Sequence, residues 1–250
     1  MSQASKNLLF CCLTNETQKV LLKHGCLEHY EQGLILANQG APVDLVYFVV
    51  KGLIVSIFEG NDGTGIANAM RGPEAAYGAI GTAATSTSLA QTVVTGRVVT
   101  QIATEALTIP KADFSEILIK SNDLLRVVLS HAAEVVRRHE LTLNCSRHHR
   151  IDRRLAHFLR MLEFYNGSSD LSITHAELGE ILGVRRESVS TALAEYEKKD
   201  TVQVNRGQIS ILDSRSLEYS SCECQSELAV LKAKQTTGLT NLKNISAGDF

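Results

Sequence analysis

The chain has no apolar run long enough to span a bilayer, no strong excess of either charge, and few cysteines for its length. Spanning needs about 18 consecutive apolar residues. The longest apolar neighbourhood, Leu45 to Phe58, is cut by Lys51 and Gly52. Near the start, Leu8 to Leu13 is apolar but runs into Thr14-Asn15-Glu16 without a small-residue cleavage pattern, so it fails as a secretory signal. These absences argue against a membrane partner and predict a cytoplasmic protein. Six cysteines in 250 residues are too few for a disulfide scaffold, and in a reducing compartment they should be thiols. A net charge of −2 excludes coating of nucleic acid by bulk positive charge, so any such contact must be local. The chain also lacks a phosphate-cradling G-x-x-x-x-G-K-S/T run, G-x-S-x-G, H-E-x-x-H and paired carboxylates in a motif context, which predicts that it is not an enzyme.

What remains is a globular composition, 44 % hydrophobic and 21 % charged, in a length that suggests two domains. Charge is unevenly placed. Between positions 137 and 160 lie Arg137, Arg138, Arg147, Arg150, Arg153, Arg154 and Arg160, against only Glu140 and Asp152. By itself this cationic stretch is equally a solvated helix surface.

Local pattern divides the chain. Residues up to about 30 read as a short amphipathic helix carrying Val20, Leu21 and Leu22. From Gly33 to about Leu107 the chain is rich in Val, Ile, Thr and Gly, with turn residues at Asn38 to Pro42, Lys51-Gly52, Gly60 to Gly63, Arg71 to Pro73 and Thr95-Gly96. Short strands at that spacing predict an antiparallel sandwich or barrel. A short helix follows Pro110. A longer one starts near Ser121-Asn122-Asp123 and runs to about Cys145. Its residues Leu125, Leu129, Ala132, Val136, His139 and Leu143 alternate in steps of four and three, the seam that packs against a partner helix in a left-handed coiled coil. The seam predicts a homodimer; packing on the chain's own barrel is the alternative use of the stripe. Leu155, Phe158, Leu159 and Leu162 then share one face of a further helix, which ends in a loop at Asn166 to Asp170. The tail from position 226 mixes polar residues with isolated leucines and is expected to be disordered.

The segment Ile173 to Glu197 carries the chemistry. Thr174 and Glu177 form a T-x-x-E capping box that starts a helix. Leu178, Ile181 and Leu182 point inward, Gly179 permits close approach of a second helix, and Gly183 turns the chain. The second helix starts near Arg186, buries Val189, Ala192, Leu193 and Tyr196, and turns Arg186, Glu187, Ser190 and Thr191 outward. Outward side chains in the first two turns of such a helix reach base edges in the major groove, where arginine reads guanine bidentately and glutamate accepts from cytosine. Arg185 stands where Ser or Thr would cap the helix; a phosphate contact would offset that cost. His175, just after the first cap, suits a backbone-positioning contact. Thr201 to Ile211 reads as two strands joined at Asn205-Arg206-Gly207, a wing that places Arg206 beside phosphates.

A glycine-punctuated barrel, a stripe-bearing helix and a winged helix in this order resemble the Crp/Fnr family of bacterial transcription regulators. Gly33-x-Ile35, Gly40-x-Pro42 and Val46-Tyr47-Phe48-Val49-Val50-x-Gly52 are similar to the opening strands of its cyclic-nucleotide-binding-like jelly roll. Ile173-Thr174, Glu177, Gly179, Gly183, Arg186-Glu187-Ser188-Val189 and Leu193 are similar to its DNA-reading motif. The resemblance covers roughly residues 10 to 220. It implies an α+β protein with a sensor domain over residues 1–120, a dimerisation helix over 121–146, a winged helix-turn-helix over 147–225 and a disordered tail over 226–250. It further implies a homodimer that reads double-stranded DNA at a palindromic site, with RNA polymerase and a small-molecule effector of unassigned identity as further partners.

The departures bear on the effector. Members that bind cyclic AMP carry a Gly-Glu-Leu run and an Arg-Ser pair for the sugar and cyclic phosphate, where this chain has Gly78-Ala79-Ile80 and Leu89-Ala90-Gln91-Thr92. Cyclic AMP is therefore not the expected effector. Cys11, Cys12, Cys26 and Cys145 are poorly spaced for an iron–sulfur cluster. Cys222-Glu223-Cys224 is too tight for an ordinary zinc half-site, and none of the eight histidines joins a ligand set by spacing. Two ordinary thiols, or a redox switch, are the readings of that pair; no metal or cofactor is expected. The alternative to a DNA-binding regulator is a nucleotide- or redox-sensing signalling module that acts on a protein partner, against which the base-reading side chains count.

Overall fold

The structure is a computed structural model that describes residues 3–84 and 93–225. Residues 89–92 and the tail from 226 lie outside the described residues. Of the described chain, residues 3–55 and 70–136 form one compact unit, and 56–69 and 137–225 another.

The first unit begins with two short helices, α1 (Leu8–Cys11) and α2 (Asn15–His24). Asn7 opens α1 by accepting from the Phe10 N–H, and Thr14 opens α2 by accepting from the Thr17 N–H. The strands β1 (Cys26–Tyr30), β2 (Ile35–Ala37), β3 (Leu45–Glu59), β4 (Gly65–Arg71), β5 (Ala76–Tyr77) and β6 (Arg97–Pro110) form one sheet in the order β1-β6-β3-β4, with β2 also on β6 and β5 also on β3. Among the described residues the sheet is open, where the turn spacing predicts a closed sandwich or barrel. The fold class, helices with an antiparallel sheet, is as expected.

Strand β3 is buried along most of its length, so both faces are covered and it reads as a continuous apolar run rather than an alternation. Gly52 interrupts that run for a steric reason. Its φ is +91°, and a Cβ there would lie 2.3 Å from the Ala103 carbonyl oxygen. One face of the sheet packs Phe10, Leu21, Val46, Phe48, Leu107, Ile109 and Phe114 together, with the Phe48 ring 6.2 Å from Phe10 and 6.1 Å from Phe114. The other gathers Val43, Tyr47, Val49, Ile54, Val94, Val98 and Ala106. Buried Asn7 donates to the carbonyls of Val49 and Ala75, both at 2.8 Å, and so ties the N-terminal helices to two strands.

Two boundaries differ from expectation. The helix expected up to about residue 30 stops at His24, because Cys26–Tyr30 pairs antiparallel with β6, from Cys26 opposite Thr108 to Tyr30 opposite Thr104. Its side chains are largely exposed, so no hydrophobic alternation marks it. The last strand runs to Pro110 rather than Leu107, and its pairing with β1 reaches Thr108 opposite Cys26.

Helix α3 (Ala79–Ala84) follows β5; α4 (Lys111–Lys120) and α5 (Asn122–His148) follow β6. Asp123 fixes the start of α5. Its carboxylate accepts from the Thr14 N–H at 2.9 Å and hydroxyl at 3.0 Å, and from the Thr17 hydroxyl at 2.9 Å. Partial burial works to raise the Asp123 carboxyl, but those bonds outweigh it and hold the group below the usual carboxylate range. Leu124, Val128 and His131 form the buried stripe of α5. The adjacent seam stays in solvent, with Leu125 41 %, Leu129 61 %, Val136 58 % and Leu143 69 % exposed. His139 is also exposed and Ala132 half-buried.

The second unit continues with α6 (Ile151–Asn166), β7 (Asp170–Ser172), α7 (His175–Leu182), α8 (Arg186–Glu197), β8 (Val202–Asn205), β9 (Gln208–Ile211) and α9 (Ser214–Ser220), then a 3-10 turn at Glu223–Gln225. The loop expected through Asp170 ends one residue earlier, because β7 joins β9 in a three-stranded sheet, β7-β9-β8. No helix of the described residues is long and apolar enough to cross a membrane.

Candidate nucleic-acid interface

The site is built by local chemistry. Thr174 accepts from the Glu177 N–H at 3.2 Å, and the Glu177 carboxylate accepts from the Thr174 N–H at 2.7 Å, which closes the capping box and starts α7. Gly183, at φ +65°, ends the helix in the left-handed conformation and returns its N–H to the last turn. Gly179 is buried, and a Cβ there would lie 2.9 Å from the Val184 carbonyl and 3.4 Å from the Arg186 nitrogen. The start of α8 therefore passes directly over α7. Val189, Ala192, Leu193 and Tyr196 are buried, and the Tyr196 hydroxyl donates to the Asp152 carbonyl at 3.0 Å, locking α8 to α6.

With those four side chains inward, Arg186, Glu187 and Thr191 are exposed and Ser190 half-exposed. Ser190 donates to the Arg186 carbonyl at 3.1 Å and Thr191 to the Glu187 carbonyl at 2.9 Å, so each hydroxyl gives its proton to its own helix and its oxygen is left as an acceptor. His175 Nδ1 lies 2.8 Å from Ser190 Oγ. Since the serine proton serves its own helix, the imidazole donates here and couples the first turn of α7 to the face of α8. Arg185 at the N-cap makes no side-chain capping bond, as its residue type suggests.

The wing is a two-residue turn, Arg206-Gly207, between Asn205 and Gln208 of the β8–β9 ladder, and Gly207 takes φ +75°. Thr174, His175, Arg186 and Arg206 line one groove, whose far wall is Val204 to Gly207. Arg185, Glu187, Ser190 and Thr191 are not among its lining residues; Glu187 and Thr191 lie one helical turn apart on α8. Two arginines of the basic stretch have structural roles instead. Arg154 donates to the Leu182 carbonyl at the end of α7, and Arg160 reaches Glu163, Ser214 and Glu218, which joins α6 to α9. Arg150 in turn pairs with Asp152 at 3.3 Å, so the stretch is not simply a solvated cationic surface.

A second constellation was not visible in the spacing. Cys145, His149, Cys222 and Cys224 converge, with their Sγ and imidazole nitrogen atoms all within 4.8 Å of one another. No histidine forms a ligand set by sequence spacing, but the fold brings His149 to three cysteines, two of them in the Cys222-Glu223-Cys224 segment read as two ordinary thiols or a redox switch. The pairs are distant in sequence, and only the packing of α9 on α6 returns the second to the first.

Two helices joined at a left-handed glycine and followed by a two-stranded wing make a winged helix-turn-helix. Residues 153–219 match the family model of the Crp-like helix-turn-helix domain. The whole fold is similar to that of a protein from Eubacterium rectale assigned to the Crp/Fnr family of transcriptional regulators, at 21 % identity over 83 % of this chain and 94 % of that one, with a TM-score of 0.68. It is similar also to the c-di-GMP-responsive global regulator CLP of Xanthomonas campestris, at 14 % identity over 79 % and 99 % of the two chains, TM-score 0.64. A third likeness is to a CRP-family transcriptional regulator of Thermus thermophilus, at 16 % identity over 78 % and 96 %, TM-score 0.64. No curated protein sequence matches the chain. Residues 153–219 thus form a Crp-like helix-turn-helix domain, and the fold is like that of Crp/Fnr transcription regulators.

Proposed function

We propose that the protein is a cytoplasmic, homodimeric regulator that reads a palindromic DNA site through Arg186 and Glu187, with Thr174, His175, Arg185, Ser190, Thr191 and Arg206 as positioning or accessory contacts. The observation that carries this reading is the groove that gathers Thr174, His175, Arg186 and Arg206. Residues 1–120 serve as a sensor-like domain, 121–146 as the dimerisation helix and 147–225 as the DNA-binding domain; RNA polymerase is the further partner such a regulator meets. Selection of random duplexes at two salt concentrations tests it. Arg186→Ala should cost about 1–3 kcal/mol on the preferred site and relax one base pair per half-site, and Glu187→Ala should broaden an adjacent position. Arg206→Ala should weaken all duplexes alike and reduce the salt slope by about one. An unchanged consensus for Arg186→Ala and Glu187→Ala would return the groove to a protein-contact role and favour the signalling-module reading.

The exposed seam supports the dimer. Placing its leucines and valine against a second copy removes apolar surface from water, and the two reading helices would then fall about one DNA turn, ~34 Å, apart. Leu129→Glu or Val136→Glu should give a monomer by sedimentation and lower affinity for the palindrome by roughly 100-fold or more as the second half-site is lost. A dimer that survives both changes would discard the seam.

Cyclic AMP is not the effector in this proposal. Ala79 is buried and apolar where cyclic-AMP-binding members present a carboxylate, and Gly78 beside it is fixed by φ +83° with only 2.5 Å between a Cβ and the Leu45 carbonyl. Calorimetry should show no micromolar isotherm for cyclic AMP or cyclic GMP; a clear one would overturn this part.

A further inference from the structure

The convergence of Cys145, His149, Cys222 and Cys224 has a geometry of its own. The His149 N–H bonds to the Cys145 carbonyl at 3.1 Å, so the helical spacing at the end of α5 puts both side chains on one face. Beyond α9, the backbone turns from extended at Ser221 into the 3-10 turn Glu223–Gln225, which brings both sulfurs of the C-x-C pair inward; Cys222 is fully buried and Cys224 nearly so. Cys145 Sγ lies 3.6 Å from Cys222 Sγ, and Cys224 Sγ lies 3.7 Å from His149 Nδ1. In a tetrahedral site with zinc–sulfur bonds of about 2.3 Å, neighbouring donor atoms sit roughly 3.5–3.8 Å apart, so these two separations have the length of a tetrahedron's edge, and the other donor pairs lie within 4.8 Å. The other imidazole nitrogen, Nε2, lies 3.1 Å from a Glu223 carboxylate oxygen. That leaves Nδ1 as the inward lone pair and Nε2–H as the donor, the carboxylate–histidine arrangement that orients metal-bound imidazoles.

We propose that Cys145, His149, Cys222 and Cys224 bind a single divalent zinc-class ion tetrahedrally, through three sulfurs and His149 Nδ1, with Glu223 as the positioning carboxylate. The donor set selects the ion. Three thiolates and an imidazole favour zinc over the oxygen-seeking calcium and magnesium, and four protein ligands make a closed, structural site. In a [4Fe–4S] cluster each cysteine binds a separate iron and stands further from the next than one tetrahedron's edge, and a [2Fe–2S] cluster spreads its four ligands over two irons, whereas these four donors close around one point. The thiols lose their protons to solvent as the ion enters. The bound ion would clip the last turn of α5 to the segment after α9 and close the intervening winged helix into a loop, which restricts the unfolded chain strongly because the loop is long. This inference stands independently of the DNA-reading proposal.

The test uses the full chain, purified anaerobically under reducing conditions. Elemental analysis should find one zinc per chain, and cobalt(II) substituted for it should give intense tetrahedral visible bands with thiolate-to-cobalt charge transfer. Cys222→Ser, Cys224→Ser and His149→Gln should each lose stoichiometric binding, whereas Cys26→Ser, at an exposed thiol elsewhere, should keep one equivalent. Glu223→Gln should retain the tetrahedral spectrum with affinity weakened roughly 10- to 100-fold. The spectrum and stoichiometry of the unmutated chain decide the matter even where a variant fails to fold. Zinc well below one equivalent with octahedral cobalt, iron with acid-labile sulfide, or a Cys145–Cys222 disulfide in that protein would each overturn the proposal.

Discussion

The two compact units are held by contacts of different sequence range. In the sheet-bearing unit, Asn7 bonds carbonyls 42 and 68 residues away, and Asp123 caps a helix 109 residues before it. In the winged-helix unit, the defining features are a four-residue capping box, a left-handed glycine at the end of α7 and a two-residue turn. Longer arms exist there too, from Tyr196 to Asp152 and from Arg160 to α9, but they lock elements whose ends are already set. A structure assembled from local signals orders its elements before docking them, while one assembled from distant pairings must close long loops first. The exposed face of α8 belongs to the first kind, which gives its side chains a fixed frame.

Substitutions that remove one feature of each kind sharpen this contrast. The largest expected effect is Gly52→Ala, which drives a methyl into the Ala103 carbonyl and demands a positive φ of a non-glycine residue; it should cost upward of about 3 kcal/mol in urea denaturation. Asn7→Ala comes next. It takes the side-chain donor from the Val49 and Ala75 carbonyls, the second of which keeps the Val49 N–H at 3.4 Å, and removes the α1 cap, for about 2–3 kcal/mol. At the other end is Gly207→Ala in the wing, where a Cβ meets nothing within 4 Å and only the left-handed φ opposes it, for about 1 kcal/mol. A loss at Gly207 equal to that at Gly52 would break the comparison, since it would make the wing turn as dependent on distant packing as the sheet.

The same difference in range explains what could be read in advance. The α7–α8 pair and the wing were legible because Thr174, Glu177, Gly183 and Gly207 each act on their own few neighbours. The stripe on α5 was legible because helical period alone assigns it, and the structure leaves it exposed beside the buried Leu124, Val128 and His131. Strand β1 was hidden, since it is mostly exposed and exists only because β6 lies beside it. Arg154 and Arg160 looked like surface charge because their acceptors, Leu182 and Glu218, lie far along the chain. The cysteine and histidine cluster was hidden for the same reason, and the one-residue spacing of Cys222 and Cys224 argued against it until the turn at Glu223 was seen.

Helix α5 carries its two stripes at adjacent positions, Leu124 and Val128 beside Leu125 and Leu129. Each added residue rotates everything beyond it by about 100° and advances it by ~1.5 Å. A single insertion near Ala132 would therefore swing Val136, His139 and Leu143 off the line begun by Leu125. Seven residues, two turns, would nearly restore the phase. Surface loops of this chain can drift in length over evolutionary time; this helix can change length only in steps that keep its phase.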